Sequence, residues 1–378
     1  MSETENILEN CTGCKLCIGE CDFLEKHCSS PKELAESFRD GKHRSHPEIP
    51  YSCNICGLCE VRCPQKLNIG KMCLEVRRQL VREGLAPLEQ HKQLAEALNW
   101  NESDAFKLAL PAYNDCEAYE QTKGATKRAF FPGCALSACS PDLVIKVYDY
   151  LRQKLSSTGI ILGCCGAPAY LVGEESRFQE VIEGLESDLA MLDCSEIIVA
   201  CPYCLYALKR NLPDHRVTSL YSCLEELGLP EKEKGELHQF SVHDPCSTRQ
   251  ELELQRSIRN LIRQSGHEVV ELEHSGEFTQ CCGLGGMAFA VAPDQSAQKA
   301  RRTIKETEHD LITYCASCLG NLSSEGASIL HVLDLIFGES WQDKRVSPPA
   351  DSAAARENQR QLKLRLQKRA EASKAPLH

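Results

Sequence analysis

The stretch EIIVACPYCLYAL, residues 196–208, sets the reading of the whole chain. Glu196 to Ala200 is a short run rich in β-branched residues, and it ends on Cys201-Pro202-Tyr203-Cys204 before a helical segment running through Leu208. A strand that feeds a helix through a turn is one step of an α/β sheet. The two cysteines in that turn are either a reactive dithiol or part of a metal site, and the neighbouring segments decide between these.

The same alternation extends on both sides. AFFPG leads into SPDLVIKVYDYLRQKL, GIIL into SRFQEVIEGLESDLAML, and RVTSL into a further helix. The series restarts at Gln239 with FSVHD, TRQELELQRSIRNLIRQSG, EVVELE, a helix near 294–308, DLITY, another helix, SILHV and LDLIF. Strand–helix alternation of this kind predicts parallel sheets covered by helices. The cysteines repeat with it: Cys134, Cys164-Cys165-Gly166, Cys201 and Cys204, then Cys246, Cys281-Cys282-Gly283, Cys315 and Cys318. Matching positions lie 112, 117, 117, 114 and 114 residues apart, which marks a duplication.

Each of these cysteines follows a predicted strand, so all fall at the carboxyl edge of their sheet, where α/β sheets bind ligands. Five thiols per unit then converge on one crevice, with Gly166 and Gly283 allowing the chain to turn sharply beside adjacent ligands. Five exceed the four ligands that zinc takes. A glutaredoxin-type dithiol leaves the double cysteine without a role and needs a Thr-Val-Pro element where Arg216-Val217-Thr218-Ser219 stands. Cys201 and Cys204 are therefore expected to be cluster ligands.

The front of the chain carries a different pattern. CTGCKLCIGEC supplies Cys11, Cys14, Cys17 and Cys21, and CNICGLCEVRCP supplies Cys53, Cys56, Cys59 and Cys63 followed by Pro64. In this spacing three close cysteines wrap one four-iron cubane and the fourth reaches the neighbouring cluster. Cys11, Cys14, Cys17 and Cys63 are expected to hold one [4Fe–4S] cubane, and Cys53, Cys56, Cys59 and Cys21 the other. Zinc knuckles share the C-x2-C element but not two repeats of the four-cysteine spacing. Asp22 stands where a proline usually follows the fourth cysteine, and 31 residues separate the motifs. That gap holds SPKELAESFRDG, with a serine cap, a proline in the first turn and a closing glycine, which predicts a helix. Ile69, Met72, Cys73, Val76 and Leu80 fall on one helical face. Cys28 and Cys73 fit neither motif, and Cys73 reads as packing.

Bulk properties agree with a redox protein. The chain has 378 residues, 42% of them apolar and 26% charged, which is ordinary for a globular protein with two or three domains. Its net charge of −11 makes nucleic acid an unfavourable partner. No apolar run reaches the length of a membrane helix, and MSETENILEN has no apolar core, so neither a transmembrane segment nor a secretory signal is expected. Twenty-four cysteines in a chain of this size point to metal ligation in a reducing compartment, hence a cytoplasmic location in an oxygen-poor niche. The expected organisation is an α-helical ferredoxin domain (1–90), a helical linker (91–127), two cysteine-rich α/β domains (128–236 and 237–340) and a basic tail (341–378).

FFPGCALSACSP, GCCGAP, ACPYC, VHDPCSTR, QCCGLGG and TYCASC resemble the duplicated cysteine-rich domain named for its Cys-Cys-Gly motif. With the paired ferredoxin motifs the layout resembles the catalytic chain of heterodisulfide reductase, and it is equally similar to iron–sulfur subunits of anaerobic glycerol-3-phosphate dehydrogenase and glycolate oxidase. The helical gap between the ferredoxin motifs is similar to that of the α-helical ferredoxins of succinate dehydrogenases and heterodisulfide reductases. The resemblance implies two noncubane four-iron clusters, one on Cys134, Cys164, Cys165, Cys201 and Cys204 and one on Cys246, Cys281, Cys282, Cys315 and Cys318, with a substrate disulfide cleaved between them. It implies an oxidoreductase of disulfide-reductase type fed by a flavoprotein or other donor. The alternative is a relay subunit between a flavoprotein dehydrogenase and a quinone-reducing membrane partner.

Other residues have bland as well as functional readings. His243 is a candidate proton donor to a leaving thiolate and Arg249 a candidate anion holder, whereas second-row hydrogen bonding by His243 and turn capping by Asp244 are the simpler roles. Cys116, Cys139, Cys194 and Cys223 lack a counterpart in the repeat and read as buried apolar residues. CCGLGGMAF reads as close backbone approach to a cluster. In the tail, VSPPADSAAAREN reads as a linker, and the basic segment after it as a solvated helix, a disordered tail, or a dock for an acidic partner or membrane surface.

Overall fold

The computed structural model describes residues 1–113, 126–231, 235–338, 342 and 348–373. Short helices alone build the ferredoxin part. Ser30 accepts a hydrogen bond from the Glu33 amide and Pro31 opens the helix Pro31–Arg39, which closes before Gly41 at φ +79°. The Asn68 side chain caps Ile69–Arg82, which buries Ile69, Met72, Cys73, Val76 and Leu80 as its periodicity predicts.

Two sheets follow. The first contains β1 (Leu108–Leu110), β2 (Arg128–Phe131), β3 (Thr158–Leu162), β4 (Glu196–Val199) and β5 (Arg216–Ser219), ordered β1-β3-β2-β4-β5. The second contains β6 (Gln239–His243), β7 (Glu268–Val270), β8 (Asp310–Thr313) and β9 (Ile329–His331), ordered β7-β6-β8-β9. Apart from β1 every pairing is parallel, and the two orders coincide under the duplication. The central strands are buried on both faces, as helices covering a parallel sheet require. In each sheet the chain reverses direction of winding beside the pair β2/β4 or β6/β8, so the loops after those strands diverge and leave a crevice.

Two expectations change. Residues 91–127 are not a purely helical linker: after the helix Lys92–Asn101 comes β1, antiparallel to β3 with Leu110 opposite Ile160. Without it β3 would be an open edge, and a three-residue strand ending at Pro111 is enough to cover that edge. Nor is the tail a solvated basic segment. The helix Ser352–Ala372, capped by the Asp351 side chain, lays Gln359, Leu362, Leu366 and Ala370 against the first module. Its Arg365 and Arg369 pair with Asp142 and Asp149 at 2.6 and 2.8 Å. The stripe is legible at helical spacing, but the charges around it dominate composition. Among the described residues no helix is long and apolar enough to cross a membrane.

The three parts interlock around one residue. Arg77 is fully buried and donates to the carbonyls of Pro50, Tyr51 and Cys53 in the ferredoxin part, Leu171 in the first module and Gly286 in the second. Asn54 donates to the carbonyls of Gly283 and Gly285 at 2.7 and 3.2 Å. The CCGLGG run thus does more than approach a cluster. A Cβ on Gly286 would meet the Cys53 carbonyl at 2.6 Å, and one on Gly285 would meet the Asn54 carbonyl at 2.6 Å and the Cys281 Sγ at 2.8 Å.

Candidate metal centres

In the ferredoxin part, one pocket is lined by Cys11, Cys14, Cys17 and Cys63. A second is lined by Cys17, Cys21, Cys53, Cys56 and Cys59 and also by Cys281 and Lys299 of the second module. Cys17 lines both pockets, and the other cysteines divide between them as the spacing groups them. Gly13 and Gly57, at φ +71° and +76°, allow the tight loops between successive thiols. Burial pushes the Cys17 and Cys21 thiols up to about 12, so without a metal both are protonated and unreactive. Cys73 lies in the ferredoxin core as expected, with its thiol against that of Cys53. Cys28 donates to the Leu24 carbonyl.

In each sheet module the five cysteines converge at the carboxyl edge. Neighbouring thiols lie within interaction reach of one another in one continuous order, Cys134–Cys164–Cys165–Cys204–Cys201. The second module repeats it as Cys246–Cys281–Cys282–Cys318–Cys315. Gly166 and Gly283 have φ of +75° and +110°, the left-handed turn that two adjacent inward thiols require. A Cβ on Gly133 would meet Cys201 Cβ at 3.0 Å and Cys204 Sγ at 3.2 Å, so the Cys134 loop packs directly on the opposing pair. Thiol neighbours and burial push the Cys204 thiol well up, the opposite of what a nucleophilic dithiol needs. Within the same set, hydrogen bonds from Cys164 and Cys204 bring Cys165 down to about 6. Five convergent soft donors in each module, buried or half-buried, fit an iron–sulfur cluster.

The two crevices face each other. The Cys134–Cys139 helix packs on Ala316–Ser324, and Pro202–Asn211 packs on the Cys246–Thr248 turn, a pair of contacts related by the duplication. Tyr203 lies within electrostatic reach of Cys165 and Cys246, and Tyr221 of Cys201 and Cys315. Cys139, expected to be a buried apolar residue, is instead half-buried near both Cys134 and Cys315. Cys194 and Cys223 are buried as expected, and Cys116 lies outside the described residues.

Arg249 lies between the ferredoxin part and the second module. Its guanidinium donates to the carbonyls of Cys56, Glu277 and Thr279, so it ties the ferredoxin loop to the loop before Cys281. Asp244 is fully buried, receives the Arg259 guanidinium at 2.7 Å and the Tyr314 hydroxyl at 2.9 Å, and accepts from the Gly276 amide. The Asp22 departure also acquires a role: its carboxylate meets Arg302 at 2.5 Å and Lys299 at 3.5 Å across the domain boundary. Lys299 is buried beside Cys21, Cys56 and Cys281. Burial opposes its charge, but those thiols and Asp22 win and hold the ammonium above its ordinary value.

Comparison with known proteins completes the site. A 4Fe–4S dicluster domain matches residues 10–68, and a cysteine-rich domain matches twice, over 128–209 and 240–323. The chain thus carries a dicluster ferredoxin domain and a duplicated cysteine-rich domain, a layout similar to that of heterodisulfide-reductase-like iron–sulfur proteins. It is 25% identical to a subunit of the fumarate reductase (CoM/CoB) of Methanothermobacter marburgensis, over 88% of this chain and 73% of that one. It is 22% identical to a subunit of the dihydromethanophenazine:CoB–CoM heterodisulfide reductase of Methanosarcina mazei, over 83% and 88%. It is 24% identical to the EtfAB:quinone oxidoreductase of Syntrophomonas wolfei, over 63% of this chain and 36% of that one. The chain is therefore an iron–sulfur oxidoreductase or an electron-transfer subunit of one.

A cation placed between centres stabilises their reduced forms. Lys299→Met is expected to lower the reduction potential of the ferredoxin centre beside it by on the order of tens of millivolts. A redox titration followed by electron paramagnetic resonance checks this, and an unchanged potential contradicts it.

Proposed function

We propose that electrons enter at the ferredoxin clusters and reach a two-cluster site in the paired cysteine-rich modules, where a disulfide is reduced. In this reading Cys11, Cys14, Cys17 and Cys63 hold one cubane and Cys53, Cys56, Cys59 and Cys21 the other. The two five-cysteine sets each hold a four-iron cluster of noncubane type. The observation that carries the reading is the shared wall between centres. Cys281 lines the same pocket as Cys21, Cys53, Cys56 and Cys59, so the second cubane abuts the second module. The facing of the two modules across Tyr203 and Tyr221 supports the remaining step.

The chemistry calls for such a layout. Reducing a disulfide breaks one S–S bond, takes up two electrons and two protons and releases two thiols. Clusters pass electrons singly, so two facing centres held by the Cys134–Cys204 and Cys246–Cys318 sets would together supply the two-electron chemistry that a disulfide needs. Protein reduced under nitrogen is expected to be reoxidised by a disulfide in a two-electron stoichiometry. If no disulfide reoxidises the reduced protein, the reading fails.

The likeness to an EtfAB:quinone oxidoreductase favours a second reading, a relay that takes electrons from a flavoprotein and passes them to a quinone-linked membrane partner. Turnover with a flavoprotein and a quinone, undiminished by excess disulfide, would select it.

A further inference from the structure

The two modules have the same cysteines, yet their crevices are not lined alike. Offsetting by the repeat, β2 and β6 end on matching residues: Phe131 three positions before Cys134, and His243 three positions before Cys246. The neighbouring strands match too. Phe131 pairs in register with Val199, and His243 with Thr313. Cross-strand partners project to the same face of a sheet. An apolar pair in the first module is therefore replaced by a polar pair in the second.

Both members of that polar pair are orphaned. His243 is 1% exposed and Thr313 0%, and neither His243 Nε2 nor Thr313 Oγ1 has a hydrogen-bond partner. Buried polar atoms without partners are uncommon and costly, and an unfilled ligand position is a standard cause. A ring nitrogen of His243 and the Sγ atoms of Cys282 and Cys318 lie within 4.8 Å of one another, close enough to bind one metal atom. It is the one such mixed group among the described residues. The first module has no equivalent, because Phe131 offers no donor.

We propose that His243 is a nitrogen ligand to the metal atom held by Cys282 and Cys318, so that the second centre has mixed cysteine and histidine ligation while the first is ligated by cysteine alone. This rests on the reading that the second module holds a cluster. Imidazole and thiolate are both suitable donors to iron. Loss of a thiolate-only environment sets the two facing centres apart electronically, with the second, next to the ferredoxin part, being the distinct one.

The test uses the full chain loaded with iron and sulfide, grown with ¹⁵N-histidine, and electron–nuclear double resonance on the partly reduced protein. A strong ¹⁵N coupling to the second centre is expected in the wild type. It should vanish in His243→Phe, which copies the first module, and in His243→Gln, while iron content stays within the wild-type range. A fully loaded protein with no such coupling, or with a coupling that survives in both variants, overturns the ligand. Cys318→Ser separates this from failure of the underlying reading. If that variant keeps all the wild-type iron, the second module holds no cluster and both statements fall.

Discussion

Arg77→Met is expected to cost on the order of 3–5 kcal/mol of stability, the range for removing one partner from a buried charged network. The Arg77 side chain is 0% exposed, stacks over the Tyr51 ring at 4.9 Å and satisfies five carbonyls drawn from all three parts of the chain. Burial pushes its guanidinium down from the ordinary value, and the Cys53 and Cys73 thiols oppose that shift. Methionine fills the volume but leaves those carbonyls without donors, at about 1–3 kcal/mol for each one still buried. Lysine recovers only part, because a compact ammonium has three donors where the planar fork has five. Anaerobic thermal unfolding measures the loss. Hydrogen exchange should rise at 50–54, 171–173 and 283–287 together, since one residue joins them. Wild-type stability with unchanged exchange at those segments would show that the parts are held together by something else.

Truncation after Ala350 ranks second. It removes Leu362 and Leu366, both 0% exposed, and full burial of a leucine is worth about 1.5–3 kcal/mol. The polar contacts are as telling. Gln359 accepts from the Trp100 indole at 2.7 Å and donates to the Asn101 side chain and to the Cys134 carbonyl, each at 3.0 Å. Asn358 donates to the Ala138 carbonyl at 2.7 Å. The helix therefore clamps both ends of the Cys134–Cys139 turn, the first cysteine loop of the first module. Without it, iron in the first module should be lost to a chelator several-fold faster while the second module keeps its own. Leu366→Ala should show the same bias at a cost of about 2–5 kcal/mol. Equal iron loss from both modules, or none, would contradict a clamp on the first loop.

Much of this molecule is legible in its sequence because period and spacing carry it. The strands of both modules show as short β-branched runs, and the offset between cysteines reveals the duplication before any sheet is seen. Placing Cys134, Cys164, Cys165, Cys201 and Cys204 at one edge needs only the rule that parallel strands share a carboxyl end. What escapes the sequence is contact between parts. Arg77 lies in the same helix as the apolar stripe, but nothing local says that Leu171 and Gly286 come to meet it. Arg249 reads as an anion holder because a free guanidinium is the default for an arginine beside a cysteine loop. Its partners are backbone carbonyls, which have no signature. The final helix misleads for another reason: its buried stripe is narrow, and the arginines around it find Asp142 and Asp149 rather than water. The His243–Thr313 pair was accessible by aligning the two units, where it stands opposite Phe131 and Val199.

The measurement that bears most directly on the account is iron and acid-labile sulfide per chain, on protein purified without oxygen. Four four-iron clusters give about sixteen irons per chain, falling by about four in Cys204→Ser and again by about four in Cys318→Ser. About eight irons in the wild type, unchanged in both variants, would mean that only the ferredoxin part is loaded, and would contradict the assignment of the paired cysteine-rich modules as the electron-accepting site.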